Sequence, residues 1–181
     1  MLFLYRFLYT LSSVTLLLPI YAFNRKVDIA QWFAIESHQT LYNWIFYILL
    51  LALPFVLTFL SLCFADNLQH QQLTNSKIET VQSAGADQFP IALGYIFIAL
   101  SINNSYTLAL SFFILMLVCI YTPAYFNLCM YVFRYKYYYV TTYDNIRVLV
   151  ATRRRILLGT KPSFTELRRI NDLTYIDIEH E

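Results

Sequence analysis

The fold is decided by QFPIALGYIFIALSINNSYTLALSFFILMLVCIYTPAYFNLCMYVF, residues 88–133, where 46 consecutive positions hold no Asp, Glu, Lys or Arg. Residues 7–24 and 37–65 are also free of these four residue types. A bilayer core about 30 Å thick takes about 20 apolar residues of helix. These segments therefore suit lipid, and they exclude a soluble one-domain enzyme.

The whole chain shares this bias. Of its 181 residues, 59% are hydrophobic and 13% are charged, and the charged share is about half that of an ordinary soluble domain. We therefore predict an α-helical integral membrane protein with four transmembrane helices in a domain of residues 1–133. The spans are expected at about residues 4–23, 42–64, 82–102 and 106–133.

Local signals refine these spans. A turn is expected between the third and fourth spans, at Asn103, Asn104 and Ser105. The connector of residues 66–88 is polar, and parts of it are expected to extend the flanking helices. Kinks are expected at prolines inside the spans, namely Pro19, Pro54 and Pro123.

Aromatic side chains near the span ends predict a belt at the level of the lipid headgroups. Residues 29–41 fit either a short helix in that interface or a plain polar loop. Membrane lipids are therefore expected partners. The residues assigned to the membrane interface are Trp32, Trp44, Tyr131, Tyr135 and Tyr137.

Basic residues concentrate after the last span. Nine of the 13 Lys and Arg residues follow Phe133, together with six acids. Short basic segments beside a span tend to stay in the cytoplasm, so both termini are expected inside the cell. Arg25 and Lys26 would then lie outside, against that rule. The apolar run that follows Arg6 is interpreted as a retained membrane span and not as a cleaved signal peptide.

Residues 134–181 change character and predict a small cytoplasmic α+β domain. Residues 137–143, 146–151 and 174–179 are expected to be strands, with a turn at Asp144 and Asn145. The Ser163–Glu166 capping box predicts a helix to about residue 170. The order would be strand, strand, helix, strand. A module of 48 residues is marginal alone, so a homo-oligomer is expected.

Signals for catalysis are weak. The histidines lie in separate segments, no serine has a matching base and acid, and the chain has three glycines, so no metal site, catalytic triad or phosphate loop is predicted. No cofactor is expected. The three cysteines, Cys63, Cys119 and Cys129, are interpreted as core or lipid-facing residues.

Hydroxyl groups inside the spans leave two alternatives open. They would either bond to helix backbone or line a small oligomeric pore. The spans hold no ionisable residue deep in the membrane, which disfavours proton-coupled transport. The hydroxyl residues concerned are Ser12, Ser13, Thr15, Thr58 and Ser61.

Arginine clusters in the tail also have several interpretations. They fit contact with anionic lipid, docking of an acidic protein surface, or a solvated face that sets topology. Direct nucleic-acid binding is disfavoured because acids are interleaved with the basic residues. We assign partner contact to Arg153, Arg154, Arg155, Arg168, Arg169 and Asp172.

The tail motifs NIRVLVATRRRI (residues 145–156) and ELRRINDLTYIDIE (residues 166–179), with the layout of the spans, resemble the KwaA family. Members of that family are the membrane subunit of the Kiwa anti-phage defence system. The resemblance implies a non-enzymatic homo-oligomer, with a tetramer favoured, in the bacterial inner membrane. It would sense membrane disturbance by phage and hold a soluble DNA-binding effector, KwaB. A small channel and a membrane-bound accessory subunit of an enzyme remain alternatives.

Overall fold

The computed structural model describes residues 2–28, 39–73, 78–122, 126–156 and 162–178. Helices and strands divide the chain into an α-helical layer and a sheet. The helices are α1 (Leu2–Val14), α2 (Leu17–Asn24), α3 (Gln39–Cys63), α4 (Gln88–Ser101) and α5 (Ser105–Tyr121). Single 3-10 turns occupy Ala65–Asn67, Gly85–Asp87 and Leu128–Tyr131.

A break at Thr15 and Leu16 separates α1 from α2, and Pro19 explains it. Proline has no N–H, so the Thr15 carbonyl cannot receive the usual helical bond from residue 19. That carbonyl accepts a shorter-range bond from the Leu18 N–H at 3.1 Å instead. The Thr15 hydroxyl also turns back onto the Ser12 carbonyl, at 2.9 Å, which favours a bend.

The prediction of four transmembrane helices is wrong. In the described residues, two helical stretches are long and apolar enough to cross a membrane, Phe3–Asn24 with 22 residues and Gln39–Cys63 with 25. Helices α4 and α5 have 14 and 17 residues, about 21 and 26 Å of helix, which is short for a bilayer core of about 30 Å.

The uncharged stretch led to too many predicted spans because the residues after α5 form a turn and then enter the sheet instead of continuing a helix. Helix α5 stops at Tyr121, and the chain then forms the turn Leu128–Tyr131 before entering the sheet. Residues 82–83, expected in the third span, belong to a strand. The expected turn between the two helices is confirmed, since the Asn104 side chain accepts a bond from the Thr107 N–H at 2.8 Å and caps α5.

A six-stranded half-barrel replaces the expected small C-terminal α+β module. Its strands are β1 (His70–Leu73), β2 (Ile78–Ser83), β3 (Lys136–Thr142), β4 (Arg147–Thr152), β5 (Phe164–Arg169) and β6 (Thr174–Asp177). The order across the sheet is β1-β5-β6-β4-β3-β2. Neighbours are antiparallel except β4 and β6, which are parallel. The connector between α3 and α4 therefore supplies both edges of the sheet.

Two bulges hid strands from the sequence pattern. On β5, Leu167 is opposite Gln71 and Phe164 is opposite Leu73, so three steps on β5 match two on β1. The extra residue puts Phe164 and Leu167 on one buried face at a spacing of three, which imitates a helix. The predicted helix after residue 162 is therefore wrong.

Strand β2 has the same kind of irregularity. Its register with β3 shifts between Ile78 and Thr80, and Ile78 and Val81 are both buried. Polar residues separate them, so the connector showed no alternating pattern. The three other strands of the tail are confirmed close to their expected positions. Asn145 has a φ of 58° in the turn between β3 and β4, a conformation that Asn tolerates well.

The sheet curls so that its two edges approach each other. Leu73 ends β1 and Ile78 begins β2, so at most about 18 Å of chain separates them. Six flat strands would place these edges about 24 Å apart. The inner face of the curl has its own core, which is built around Ile78, Val140, Val150, Phe164 and Leu167. The outer face packs against the helices.

Candidate functional site

A buried polar network joins the helical layer to the sheet. The Tyr9 hydroxyl on α1 lies 2.6 Å from the Tyr137 hydroxyl on β3. Asn127, which precedes the turn Leu128–Tyr131, donates from its side-chain amide to the Ser12 Oγ at 2.6 Å and to the Tyr9 carbonyl at 3.0 Å. Tyr9, Ser12, Asn127 and Tyr137 are all buried. We call these four residues the junction.

Hydrogen-bond geometry fixes the direction of the tyrosine contact. The Asn127 N–H donates to the Tyr137 hydroxyl at 3.0 Å, and that hydroxyl lies 3.1 Å from the Asn127 carbonyl. Tyr137 therefore donates to this carbonyl, and it accepts from Tyr9. Burial raises the pKa of Tyr137 above its ordinary value, although the bond from Tyr9 opposes the rise. The phenol consequently stays protonated and neutral throughout the physiological range of pH.

A second set of contacts ties the helices to the β5–β6 turn. The Arg6 Nε donates to the Ile170 carbonyl at 2.7 Å, and an Arg6 guanidinium nitrogen lies 3.8 Å from the Asp172 carboxylate. The Asn171 side chain donates to the Thr122 carbonyl at 2.6 Å, just beyond α5. The N-terminal part of the first candidate span therefore rests on the sheet.

The residues assigned to partner contact fall into separate groups. Arg154 forms an ion pair with the buried Asp177 at 2.8 Å, and the Thr152 hydroxyl donates to the same carboxylate oxygen at 2.8 Å. Arg169 pairs with Asp172 at 2.8 Å. Arg168 donates to the Leu68 carbonyl at 3.3 Å. All these groups stabilise the protein's own fold.

Arg153 and Arg155 lie elsewhere, in a cleft of about 500 Å³. Arg134 and Lys136, which the sequence reasoning did not single out, also line it, and Tyr131 and Tyr135 complete the wall. We call this the basic cleft. The sequence held one signal for this cleft, because Arg134 and Lys136 alternate with aromatic residues where the chain enters β3.

Electrostatics in the basic cleft are dominated by cations. Four basic side chains line it, and no carboxylate does so among the residues that the structure describes. Arg153 stacks over the Tyr135 ring with its guanidinium carbon 4.7 Å from the ring centroid. Burial raises the pKa of Tyr135, whereas Arg153 lowers it, and the more distant Asp177 and Asp66 raise it. This phenol also stays neutral.

The predicted interface aromatics have different environments. Trp44 and Tyr131 are exposed, whereas Tyr135 and Tyr137 are buried. Trp32 lies outside the described residues. The hydroxyl residues of the helices are buried as well, and several turn back onto their own helix, as in the contacts of Thr58 with the Pro54 carbonyl and Ser61 with the Thr58 carbonyl. This favours backbone bonding over a pore lining.

In the part of the chain that the structure describes, no cluster of at least three His, Cys, Asp or Glu residues occurs that could hold a metal ion.

The comparison with known families is decisive for identity. The family model described as anti-phage protein KwaA matches residues 5–176. This chain belongs to the KwaA family. Searches of curated proteins and of solved structures gave no match.

Membership of the KwaA family places the chain in anti-phage defence, as the resemblance implied. The match runs through the junction and the basic cleft, since it extends from α1 to β6. Membrane association is suggested by the two long apolar helices. In the most apolar part of α3, 17% of the residues are buried, against 50% in the stretch Phe3–Asn24. Helix α3 therefore presents most of its surface outward.

Removing the Tyr137 hydroxyl should destabilise the junction. In Tyr137→Phe, the Asn127 backbone groups and the Tyr9 hydroxyl lose a buried partner, so we expect a loss of about 2 kcal/mol or more in the free energy of unfolding. Denaturant unfolding in detergent micelles measures it. The double variant with Tyr9→Phe should cost about 1 kcal/mol less than the sum of the single variants. Tyr106→Phe, in which the changed ring is 85% exposed, is the control, and strict additivity would contradict the bond.

Removing the Asp177 carboxylate should cost more than removing an exposed one. Asp177→Ala leaves Arg154 and the Thr152 hydroxyl without their buried acceptor, and we expect a loss of about 3 kcal/mol. Asp172→Ala removes an exposed carboxylate that is also ion-paired, and it should cost at most about 1 kcal/mol. Thermal unfolding of both purified variants compares them. Equal losses would show that burial of Asp177 has no energetic role.

Proposed function

We propose that this KwaA family member is a non-enzymatic membrane sensor and scaffold that passes a disturbance of the bilayer from its helices to its sheet. The observation that carries this proposal is the junction, where side chains of α1 and β3 share one buried hydrogen-bond network. A buried hydrogen-bond network is directional, so a helix cannot shift there without breaking bonds. The network thus couples the two layers mechanically.

Exposed apolar surface on the helical layer supports its contact with lipid. Large hydrophobic side chains are exposed along α3, α4 and α5, including Ile48, Leu49, Phe97, Leu110 and Phe113. Soluble monomers rarely expose continuous apolar surface on this scale. Lipid or further copies of the chain would cover it, which also supports a homo-oligomer, with a tetramer as the proposed state.

Kinks give the helices a way to respond to the bilayer. Pro54 interrupts the bonding within α3, and the break at Thr15 and Leu16 separates α1 from α2. A mismatch between helix length and bilayer thickness costs fractions of a kcal/mol per Å. Summed over an oligomer, this energy is enough to bias two arrangements of the sheets. The trigger would be the local deformation of the membrane during phage attachment or genome injection.

Sheet surface away from the junction would hold the soluble, KwaB-like effector. The turn between β3 and β4 exposes Tyr143 to 56% and Ile146 to 51%. An aromatic and an aliphatic side chain exposed together at the tip of a soluble hairpin are typical of a protein interface. Arg154 and Arg169 are ion-paired, and Arg168 donates to the Leu68 carbonyl, so these arginines are less suitable because changing them would disturb the fold.

Uncoupling the layers should abolish defence without removing the protein from the membrane. The test uses bacteria that carry the complete defence locus. The amount of the Tyr9→Phe protein in the membrane fraction should stay within about twofold of wild type. Protection against plaque formation should fall at least about tenfold, which corresponds to ~1.4 kcal/mol of coupling free energy. Tyr106→Phe, which changes a tyrosine that is 85% exposed, should protect as wild type does. Full protection by Tyr9→Phe would contradict the coupling.

Effector docking is tested separately with purified components. The double variant Tyr143→Ala/Ile146→Ser should retain the purified soluble effector at least about tenfold less well, because truncating central apolar contacts at an interface costs about 1 to 2 kcal/mol each. Val132→Ser changes an equally exposed apolar residue beside the helices and should leave retention unchanged. Unchanged retention by the double variant would move the docking surface elsewhere.

The alternative function is a small oligomeric channel. The main argument against it is that the span hydroxyls are buried and bonded within one chain. Conductance across a planar bilayer containing the purified protein distinguishes the two functions. Stepwise currents would favour the channel, and an electrically silent protein that still holds its effector would favour the scaffold.

A further inference from the structure

The basic cleft holds more positive charge than the fold uses. Lys136 and Arg155 are exposed, and neither side chain takes part in an ion pair or hydrogen bond within the described residues. Arg134 is exposed as well, and its φ is 66°. This left-handed backbone conformation costs about 1 kcal/mol or more for a residue other than glycine. Clustered cations repel one another, and a bound anion would relieve that repulsion.

The edge of the basic cleft continues into exposed apolar surface. Tyr131 is part of its wall, and the next residue, Val132, is 62% exposed. Phe133 then stacks on Phe59 of α3 with ring centroids 6.4 Å apart, and Phe59 is itself 56% exposed. Phe59 is one turn before the end of a candidate membrane span at Cys63. Cations, aromatic rings and apolar side chains therefore follow one another where that span ends.

We propose that the basic cleft binds the phosphate of an anionic membrane lipid, with the headgroup on Lys136 and Arg155 and the acyl chains against Val132 and Phe59. Arginine and lysine are both suited to phosphate, arginine through its planar fork and lysine as a compact point charge. A lipid satisfies both parts of this surface, whereas an acidic segment of a soluble protein would leave the adjoining apolar side chains uncovered. Arg153 shapes the cleft from its position over Tyr135.

This inference rests on the membrane location proposed above, but not on sensing or on effector docking. A bound lipid would lie a few residues from the junction, since Tyr131 and Tyr135 of the cleft precede Tyr137 and the Tyr131 ring packs edge-on against the Tyr137 ring at 6.2 Å. The headgroup would thus sit beside the coupling between helices and sheet. Loss of the lipid site and loss of coupling are distinguishable, because lipid binding is measured on the purified protein alone.

The experiment measures lipid binding to the full-length protein in a neutral detergent by native mass spectrometry. The probes are phosphatidylglycerol, phosphatidylcholine and glycerol phosphate, which offers the headgroup anion without acyl chains. The test variant is Lys136→Gln/Arg155→Gln, and Lys26→Gln/Arg147→Gln removes the same charge elsewhere. Each basic residue near an anionic lipid contributes a factor of about five in binding, or about thirtyfold for two.

We expect phosphatidylglycerol to bind the wild type and the control variant alike, and the test variant about thirtyfold more weakly. Equal binding to the test variant and wild type would overturn the proposal. Equal loss in both variants would show a general effect of net charge and would also overturn it. Glycerol phosphate binding as tightly as the lipid would mark a site for free phosphate esters instead. If the test variant binds lipid as wild type does but no longer retains the purified soluble effector in the docking test above, the cleft belongs to that partner and the proposal is overturned.

Discussion

The structure depends on one constraint, the burial of the Tyr9 and Tyr137 hydroxyls against Asn127. Burying a hydroxyl without a partner costs several times what a satisfied bond contributes, so these groups specify a single register between α1 and β3. Cys129 belongs to the same arrangement, because its N–H donates to the Asn127 side chain at 2.9 Å and orients it. Packing of apolar side chains alone would tolerate a slip of the helix. The polar contacts do not, because a slip would leave buried hydroxyl and amide groups without partners.

This constraint explains why the helical layer and the sheet cannot be treated as independent parts. The first helix shares a core with the sheet, since Tyr5 and Tyr9 belong to the same cluster as Leu149 and Ile176. The connector between α3 and α4 returns from the helices to close both edges of the half-barrel. Both edge strands of the sheet therefore come from a segment that lies between two helices along the chain.

Sequence patterns predicted an element correctly where a single physical cause produces the pattern. They failed where two different environments produce the same pattern. Long charge-free segments predicted apolar helices, the strand-forming residue types of 137–143 predicted one strand, and the alternation in 146–151 predicted the next. The same absence of charge also covers the turn Leu128–Tyr131, where Cys129 and Met130 are apolar because they lie in the core of the protein. Hydropathy cannot separate these two environments, so the number of spans was overestimated. Bulges in β2 and β5 replaced a spacing of two by a spacing of three, which the sequence shows as helical.

The arginine clusters show a related difficulty, since sequence gives the charge and not its partner. Arg154 and Arg153 are adjacent, yet one is bound to a buried carboxylate and the other stacks on a tyrosine at the edge of an open cleft. Strand β4 ends at Thr152, directly before the two arginines, and their side chains enter different environments. A buried carboxylate such as Asp177 must have a cation, and it takes the arginine that can reach it. The cations that remain, together with Arg134 and Lys136 at the start of β3, are then the ones available to a ligand, and they lie where α3 leaves its apolar surroundings.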